Sequence, residues 1–391
     1  MCFMSHTADI AEILARETFW SDPKPLALRP DGPCDPGATR IPDYHLLFAT
    51  SGSYGSPKWI ALSKNALLTS ANAVNTHLGV ATTSVWGLAL PPHHVGGFGV
   101  IARARCAACK LQALSKSWDP HTFTHWLAER RVTHTSLVPT QVHDLVGAGC
   151  HAPGGLVALV IGGGRLDAEA GSAARALGWP VLASYGMTEA ASQIATQPPD
   201  ALARPYKPSP LPVLPHWKTR IHAGGCLEIA GPALFSGTVV DGIYHPRTGE
   251  WHVTSDRVLV TPGGLVPQGR ADSLVKVAGE LIDPTEVENR LAAALQEHRA
   301  GVAVVAIRDP RLGKRLVVVA ARQVPPSAMQ AAIAAYNASV PRSQRLEAPV
   351  LVDEIPRGAL GKILRPALLQ LLGEADSRIE ETHPPSGSSE I

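Results

Sequence analysis

Short apolar runs alternate with amphipathic stretches along this chain, and Gly- and Pro-rich punctuation separates them. Residues 8–18 predict a short amphipathic helix, and the Pro/Gly/Asp-rich stretch from Asp22 to Gly37 predicts a loop. Tyr44 to Thr50 reads as a buried strand that runs straight into a Gly/Ser-rich turn. A helix is predicted from about Ser63, a candidate N-cap, to Leu78. Strands are predicted at 85–90, 135–138, 156–161 and 181–184, and helices at 122–130 and 168–177; the third of these strands ends in Gly162, Gly163 and Gly164. Such alternation predicts an α/β sheet.

The texture changes at Arg220. Runs at 226–230, 237–240, 251–254 and 257–260 read as short strands of a small β-rich subdomain. After Gly269 a helix (284–294), a strand pair (301–307 and 315–320) and a second helix (327–338) predict a compact α+β domain of roughly 100 residues. The predicted organisation is an α/β protein. A large N-terminal domain of layered sheets spans 1–269, a compact C-terminal domain spans 270–373, and a polar, Ser/Pro-rich disordered tail spans 374–391.

With 391 residues, the chain is long enough for two or more domains. A hydrophobic share of 45% against 17% charged fits a globular protein. The formal net charge of +2 gives no basis for a nucleic-acid or membrane-surface partner. The first residues lack the basic start and apolar run of a secretory signal. No apolar run approaches the ~18–20 residues of a membrane span, so a cytoplasmic protein is the expectation. Of six cysteines only Cys106 and Cys109 are close, and with no second pair they read as reduced core thiols.

Five segments carry candidate chemistry. Thr50-Ser51-Gly52-Ser53-Tyr54-Gly55-Ser56-Pro57-Lys58 joins hydroxyls, glycines and a lysine at a strand end. Glycines let backbone N–H groups approach phosphate oxygens, and the lysine adds charge. The spacing is not that of a Walker A loop, and alone the segment also reads as a flexible surface loop. Ser184-Tyr185-Gly186-Met187-Thr188-Glu189 offers a ring to stack on a base, with a hydroxyl and a carboxylate suited to magnesium; alone it also reads as a strand end with a buried tyrosine. Asp256, predicted to follow a strand, could accept two ribose hydroxyls, or be a turn aspartate. The last two are Gly269-Arg270-Ala271-Asp272 with the following 276–288, and Pro356 to Arg365, where Lys362 sits among glycines as a point charge.

In this order and spacing the segments resemble the acyl-adenylate-forming superfamily: acyl- and aryl-CoA ligases, peptide-synthetase adenylation domains and beetle luciferases. The resemblance covers about residues 44–370. The stretches 185–196 and 279–288 look most like the compact o-succinylbenzoate–CoA ligases of menaquinone synthesis. It implies an ATP-dependent ligase that forms an acyl-adenylate and passes it to a thiol, with ATP, magnesium and coenzyme A as cofactors and a small carboxylic acid as substrate. It implies that Thr50, Ser51, Gly52, Ser53, Gly55 and Lys58 hold phosphates. Gly163, Gly164, Tyr185 and Gly186 would flank the adenine, and Thr188 and Glu189 would serve phosphate and the metal. Asp256 and Arg270 would bind ribose, and His94, in Pro91-Pro92-His93-His94-Val95-Gly96-Gly97, would stand at the acid. Lys362 would bridge the acid and the α-phosphate. Asp272 would be the hinge of a mobile C-terminal domain, and the Gly279 region would face the pantetheine thiol. Tyr54 and Ser255 depart from the family pattern, and the segment before the phosphate loop is short. Two other readings follow: an enzyme loading its acid onto a carrier protein, and a nucleotide-binding homologue that has lost catalysis.

Overall fold

The computed structural model describes residues 6–38, 40–50, 58–277, 280–309, 313–358 and 361–381. The chain divides into two compact units, Met1–Gln268 and Gly269–Ile391.

Two six-stranded sheets dominate the first unit. In one, the order is Ile243–Pro246, Gly237–Val240, Lys58–Ser63, His45–Thr50, Leu26–Arg29, Gly32–Cys34, and only the pairing of Leu26–Arg29 with His45–Thr50 is parallel. The other runs Ser192–Thr196, Val181–Met187, Ala158–Ile161, His134–Leu137, Val85–Leu88, Lys110–Ala113. It is parallel except for its first strand. Three of its inner strands, Val85–Leu88, His134–Leu137 and Ala158–Ile161, are buried at every position, as expected of parallel strands covered on both faces. Helices Lys64–Leu78 and Val95–Cys106 pack together, and one apolar core joins both sheets to these helices. A third sheet pairs Lys218–Ile221, Cys226–Ala230, His252–Thr261 and Gly264–Arg270.

The predicted helix at Ser63 forms as Lys64–Leu78, and Ser63 Oγ accepts the Ala66 N–H at 3.0 Å. Elsewhere the structure corrects the pattern. The predicted helix over 8–18 is two helices, His6–Ala15 and Glu17–Ser21, because Arg16 is extended (φ −66°, ψ 144°). The predicted loop 22–37 contains a hairpin, Leu26–Arg29 with Gly32–Cys34. Gly237–Val240 is no part of the small sheet; it pairs with Lys58–Ser63 in the first sheet. The two strands predicted around Ser255-Asp256 are one, His252–Thr261. Thr254 makes that continuity possible: its Oγ1 donates to Leu227 O (2.8 Å) and accepts the Asp256 N–H (3.1 Å) across a register shift. Cys106 closes the helix Val95–Cys106 and its thiol donates to Leu68 O, and burial raises the pKa of both Cys106 and Cys109.

Lys64 ties the N-terminal helices down. It is 4% exposed, its Nζ donates to the Phe19 and Asp22 carbonyls, and it lies over the Phe19 ring. Phe19 and Trp20 in turn pack on Phe98, with ring centroids 6.2 and 5.6 Å away.

The second unit has its own core. Val302–Asp309 and Gly313–Ala321 form a long antiparallel pair, extended in parallel by Val350–Val352. A short pair, Val275–Val277 with Glu280–Ile282, precedes helix Pro284–Leu295. Helices Pro326–Ala338 and Arg365–Glu381 complete it. The last helix carries regular structure past Glu374, where polar composition predicted a disordered tail; Leu368 and Leu372, on its inner face, are buried in the unit's core.

Candidate active site

The first sheet presents the phosphate-loop segment as the connection of a hairpin. Thr50 and Lys58 are register partners, and Thr50 Oγ1 donates to the Lys58 carbonyl at 3.0 Å. Ser51, Gly52, Ser53, Tyr54 and Gly55 lie outside the described residues, as does Gly279. Lys58 itself is exposed at the strand start. It and Arg247 stand close enough to His252 to add to the effect of burial, which holds that imidazole down to about 4.

The second sheet contributes the Tyr185–Glu189 segment. Strand Val181–Met187 ends in a single 3₁₀ turn, Thr188–Ala190, which sits beside strand Lys58–Ser63. The Phe235 N–H donates to Glu189 O at 2.9 Å, fastening this turn to the chain that enters Gly237–Val240. The two sheets therefore meet where strand Lys58–Ser63 and the Thr188–Ala190 turn stand. Gly186 is required there: a Cβ would lie 1.6 Å from the Ser192 carbonyl oxygen. Ala191 (φ 48°) and Ser192 (φ 105°) make the tight reversal into the antiparallel strand Ser192–Thr196.

Tyr185 Oη donates to Asp256 Oδ2 at 2.6 Å. This bond joins the second sheet to the third, placing the expected base-stacking ring beside the expected ribose acceptor. On the neighbouring strand, Ile161 leads into Gly162–Gly164. Ser184 Oγ donates to Ile161 O (2.8 Å), and Gly163 takes a left-handed φ of 75°. Cβ atoms on Gly163 and Gly164 would come within 3.2 Å of Val138 and 3.4 Å of Pro139. The glycines thus keep a thin backbone layer between two strand ends, the crevice in which open α/β sheets hold ligands.

His94 is the N-cap residue of helix Val95–Cys106, its ring 4.4 Å from that of His93. Burial holds His93 below the usual imidazole range. Gly97 is forced by close approach, since its Cβ would lie 2.2 Å from Pro91 O.

One turn of helix beyond Gly99 stands Arg103, which the sequence pattern did not single out. It is 2% exposed, and its guanidinium lies over Trp86, 5.3 Å from the ring centroid. Nη1 donates to Ser136 Oγ at 3.3 Å and Nη2 to Ser192 Oγ at 3.4 Å, while Nε has no partner. Among the described residues no carboxylate pairs with it. Burial alone pushes its pKa down to about 10. Arg103 and Gly99, four residues apart, share one face of helix Val95–Cys106, but nothing in the local sequence marks this arginine as buried.

The remaining expected residues belong to the second unit. Arg270 grips Asp272 in a two-pronged pair, Nε to Oδ1 at 2.8 Å and Nη2 to Oδ2 at 2.6 Å. Lys362 is exposed in a tight turn closed by the Arg357–Ile363 bridge.

Residues 7–235 match the AMP-binding enzyme family. The chain belongs to that family. It is 31% identical over 401 residues to a probable 2-succinylbenzoate–CoA ligase of Mycobacterium tuberculosis, covering 95% of this chain and 97% of that one. A 2-succinylbenzoate–CoA ligase of Geobacillus kaustophilus is 27% identical over 341 residues, covering 84% and 69%. Among solved structures, an arginine-to-lysine variant of Escherichia coli MenE with bound OSB-AMS superposes with a TM-score of 0.67 at 28% identity, covering 84% of this chain and 68% of that one. Bacillus subtilis o-succinylbenzoate CoA synthetase (MenE) in complex with OSB-AMP shares the fold, with a TM-score of 0.70 at 24% identity over 83% of this chain and 68% of that one. This AMP-binding enzyme is an AMP-forming acid–thiol ligase. No helix of its described residues is long and apolar enough to cross a membrane.

Proposed function

We propose that the chain adenylates 2-succinylbenzoate with ATP and transfers the acyl group to coenzyme A. One observation carries the choice of acid: Arg103, a buried guanidinium with an unused Nε and no acidic partner among the described residues, beside Ser192 and Gly99. An unpaired buried charge costs several kcal/mol, so it persists where a ligand supplies the anion. Adenylation consumes one carboxylate of the acid. 2-Succinylbenzoate has a second, which remains ionised and suits a planar bidentate donor. The relatives named for this substrate support the same reading.

A carboxylate resists nucleophiles because of its charge. Attack of one of its oxygens on the α-phosphorus of ATP expels pyrophosphate and leaves the acyl carbon bonded to AMP, a good leaving group. The thiol then adds at that carbon and AMP departs. The protein acts chiefly by positioning and by matching charge. Thr50, Lys58 and the loop between them hold the β- and γ-phosphates. Tyr185 and the Gly162–Gly164 turn flank the base, and Asp256, oriented by the Tyr185 hydroxyl, accepts the ribose hydroxyls. The hydroxyl of Thr188 and the carboxylate of Glu189 are hard oxygen donors that fit magnesium, which when bound neutralises phosphate charge. Lys362 supplies the cation between the acid and the α-phosphate during adenylation, and Arg270 turns from Asp272 to the ribose.

Pyrophosphate release and thioester formation, measured with 2-succinylbenzoate, benzoates and fatty acids, test the reading, with coenzyme A and a phosphopantetheinyl carrier protein as alternative acceptors. Arg103→Met is expected to lower kcat/KM for 2-succinylbenzoate about 100-fold while leaving ATP affinity and thermal stability intact. Wild-type kinetics in that variant would sink the assignment of the acid. Thioester on the carrier alone would replace coenzyme A as acceptor.

A further inference from the structure

Lys362 sits on a turn between Arg357 and Arg365. The Gly358 N–H donates to Lys362 O and the Gly361 N–H to Gly358 O, both at 2.8 Å, and Gly361 adopts φ 70°. Two arginines tie this turn to the rest of the second unit. Arg357 Nη1 donates to Gly361 O (2.7 Å), inside the turn, and its Nη2 donates to Ala300 O (2.9 Å). Arg365, three residues after Lys362, reaches Glu288 Oε2 at 3.1 Å and Thr285 Oγ1 at 3.4 Å. The same Glu288 oxygen accepts the Val304 N–H at 3.0 Å.

Glu288 is thus the point at which three elements meet: helix Pro284–Leu295, strand Val302–Asp309 and the start of helix Arg365–Glu381, three residues after Lys362. Its side chain is only 12% exposed. A surface ion pair of this kind would contribute little. Here the carboxylate is largely withdrawn from water and the Arg365 guanidinium lies against it. A point charge aimed at an α-phosphate loses its effect when displaced by an ångström, so the register of this turn matters more than its stability.

We propose that Glu288 is a positioning residue for adenylation: through Arg365 it fixes the turn that presents Lys362. The proposal rests on the role assigned to Lys362 above. It separates the two half-reactions, because thiol transfer does not use the lysine. Glu288→Gln is the informative variant. Burial already opposes the ionised form and raises this carboxyl's pKa, so a neutral amide of equal size keeps the Val304 contact and the fold.

The experiment measures acid-dependent pyrophosphate release and, separately, thioester formation from synthetic acyl-adenylate, in wild type, Glu288→Gln, Arg365→Lys, Lys362→Ala and the Glu288→Gln/Lys362→Ala pair. Glu288→Gln is expected to lower kcat of adenylation about tenfold, with KM for ATP and acid changed less than about twofold and transfer from the supplied adenylate unchanged. Arg365→Lys, which keeps the charge, should fall between it and wild type, and the double variant should be no slower than Lys362→Ala alone. Equal loss in both half-reactions, full additivity in the double variant, or undiminished adenylation would each overturn the proposal. Failure of the underlying role for Lys362 reads differently: Lys362→Ala itself would then adenylate normally.

Discussion

Single atoms decide several features of this protein. The 2.6 Å bond from Tyr185 to Asp256 orients the carboxylate proposed above as the ribose acceptor. Tyr185→Phe keeps the ring and deletes the donor. We expect KM for ATP to rise about three- to tenfold with kcat nearly unchanged, since a hydrogen bond to a charged group is worth roughly 1.5–3 kcal/mol and part of it is recovered by water. An unaltered KM in steady-state pyrophosphate assays would show that the hydroxyl orients nothing. Gly186→Ala belongs to another class. A methyl group 1.6 Å from Ser192 O cannot be accommodated without breaking the strand pair, so a loss of more than about 3 kcal/mol is expected, seen as a lowered urea midpoint or as insoluble protein. At this scale the sequence was readable where a residue's chemistry is unusual for its place. Lys58, Tyr185, Thr188, Glu189 and Asp256 drew notice by type and spacing. Arg103 did not, because a lone arginine in a helical run normally faces solvent, and only packing against Trp86 reveals that this one does not.

Elements were legible where caps and periodicity agree. Helix Lys64–Leu78 has Ser63 before it and left-handed Gly79 (φ 67°) after it. Helix Pro120–Glu129 has Asp119 accepting the Thr122 N–H at 2.7 Å and proline at its first position. Asp119→Ala should cost about 1 kcal/mol by chemical denaturation and leave both substrate KM values unchanged, since none of the proposed site residues lies on this helix. Helix Val95–Cys106 escaped the pattern: Gly96, Gly97 and Gly99 lower its intrinsic preference. Gly97 is there for close approach to Pro91 and Gly99 for room beside Arg103 and Ser192. Gly237–Val240 was recognised as a strand and misplaced as to sheet, because strand pairing across some 175 intervening residues leaves no local trace.

Over the whole chain, acid should act unevenly. Burial holds His134, His216 and His252 down to about 4, and all three lie in the first unit. Unfolding returns each to an ordinary imidazole near 6.5, roughly. Their contribution to stability is complete above that value and is lost as pH falls from about 6.5 towards 4. Glu288 has the opposite sign. Its raised pKa means that its contribution is present at low pH and is lost as pH rises through the folded value. All eight tryptophans precede Gln268, so tryptophan fluorescence reports the first unit alone. Its urea midpoint is expected to drop between pH 7 and pH 5, and His134→Phe, which retains the contact with Trp86, should flatten that drop. A midpoint independent of pH would contradict the burial of these imidazoles.

The placement of Gly237–Val240 also bears on how the protein is made. The hairpin of His45–Thr50 and Lys58–Ser63, which frames the phosphate-loop segment, leaves the ribosome early. The free side of Lys58–Ser63 must wait for Gly237–Val240, a delay of roughly 10 to 35 s at ordinary elongation rates. For that time the nascent chain carries an apolar, unpaired strand edge whose Ile60, Ala61 and Leu62 end fully buried. Slowed translation between these segments should therefore lower soluble yield even though every folded molecule that results is identical.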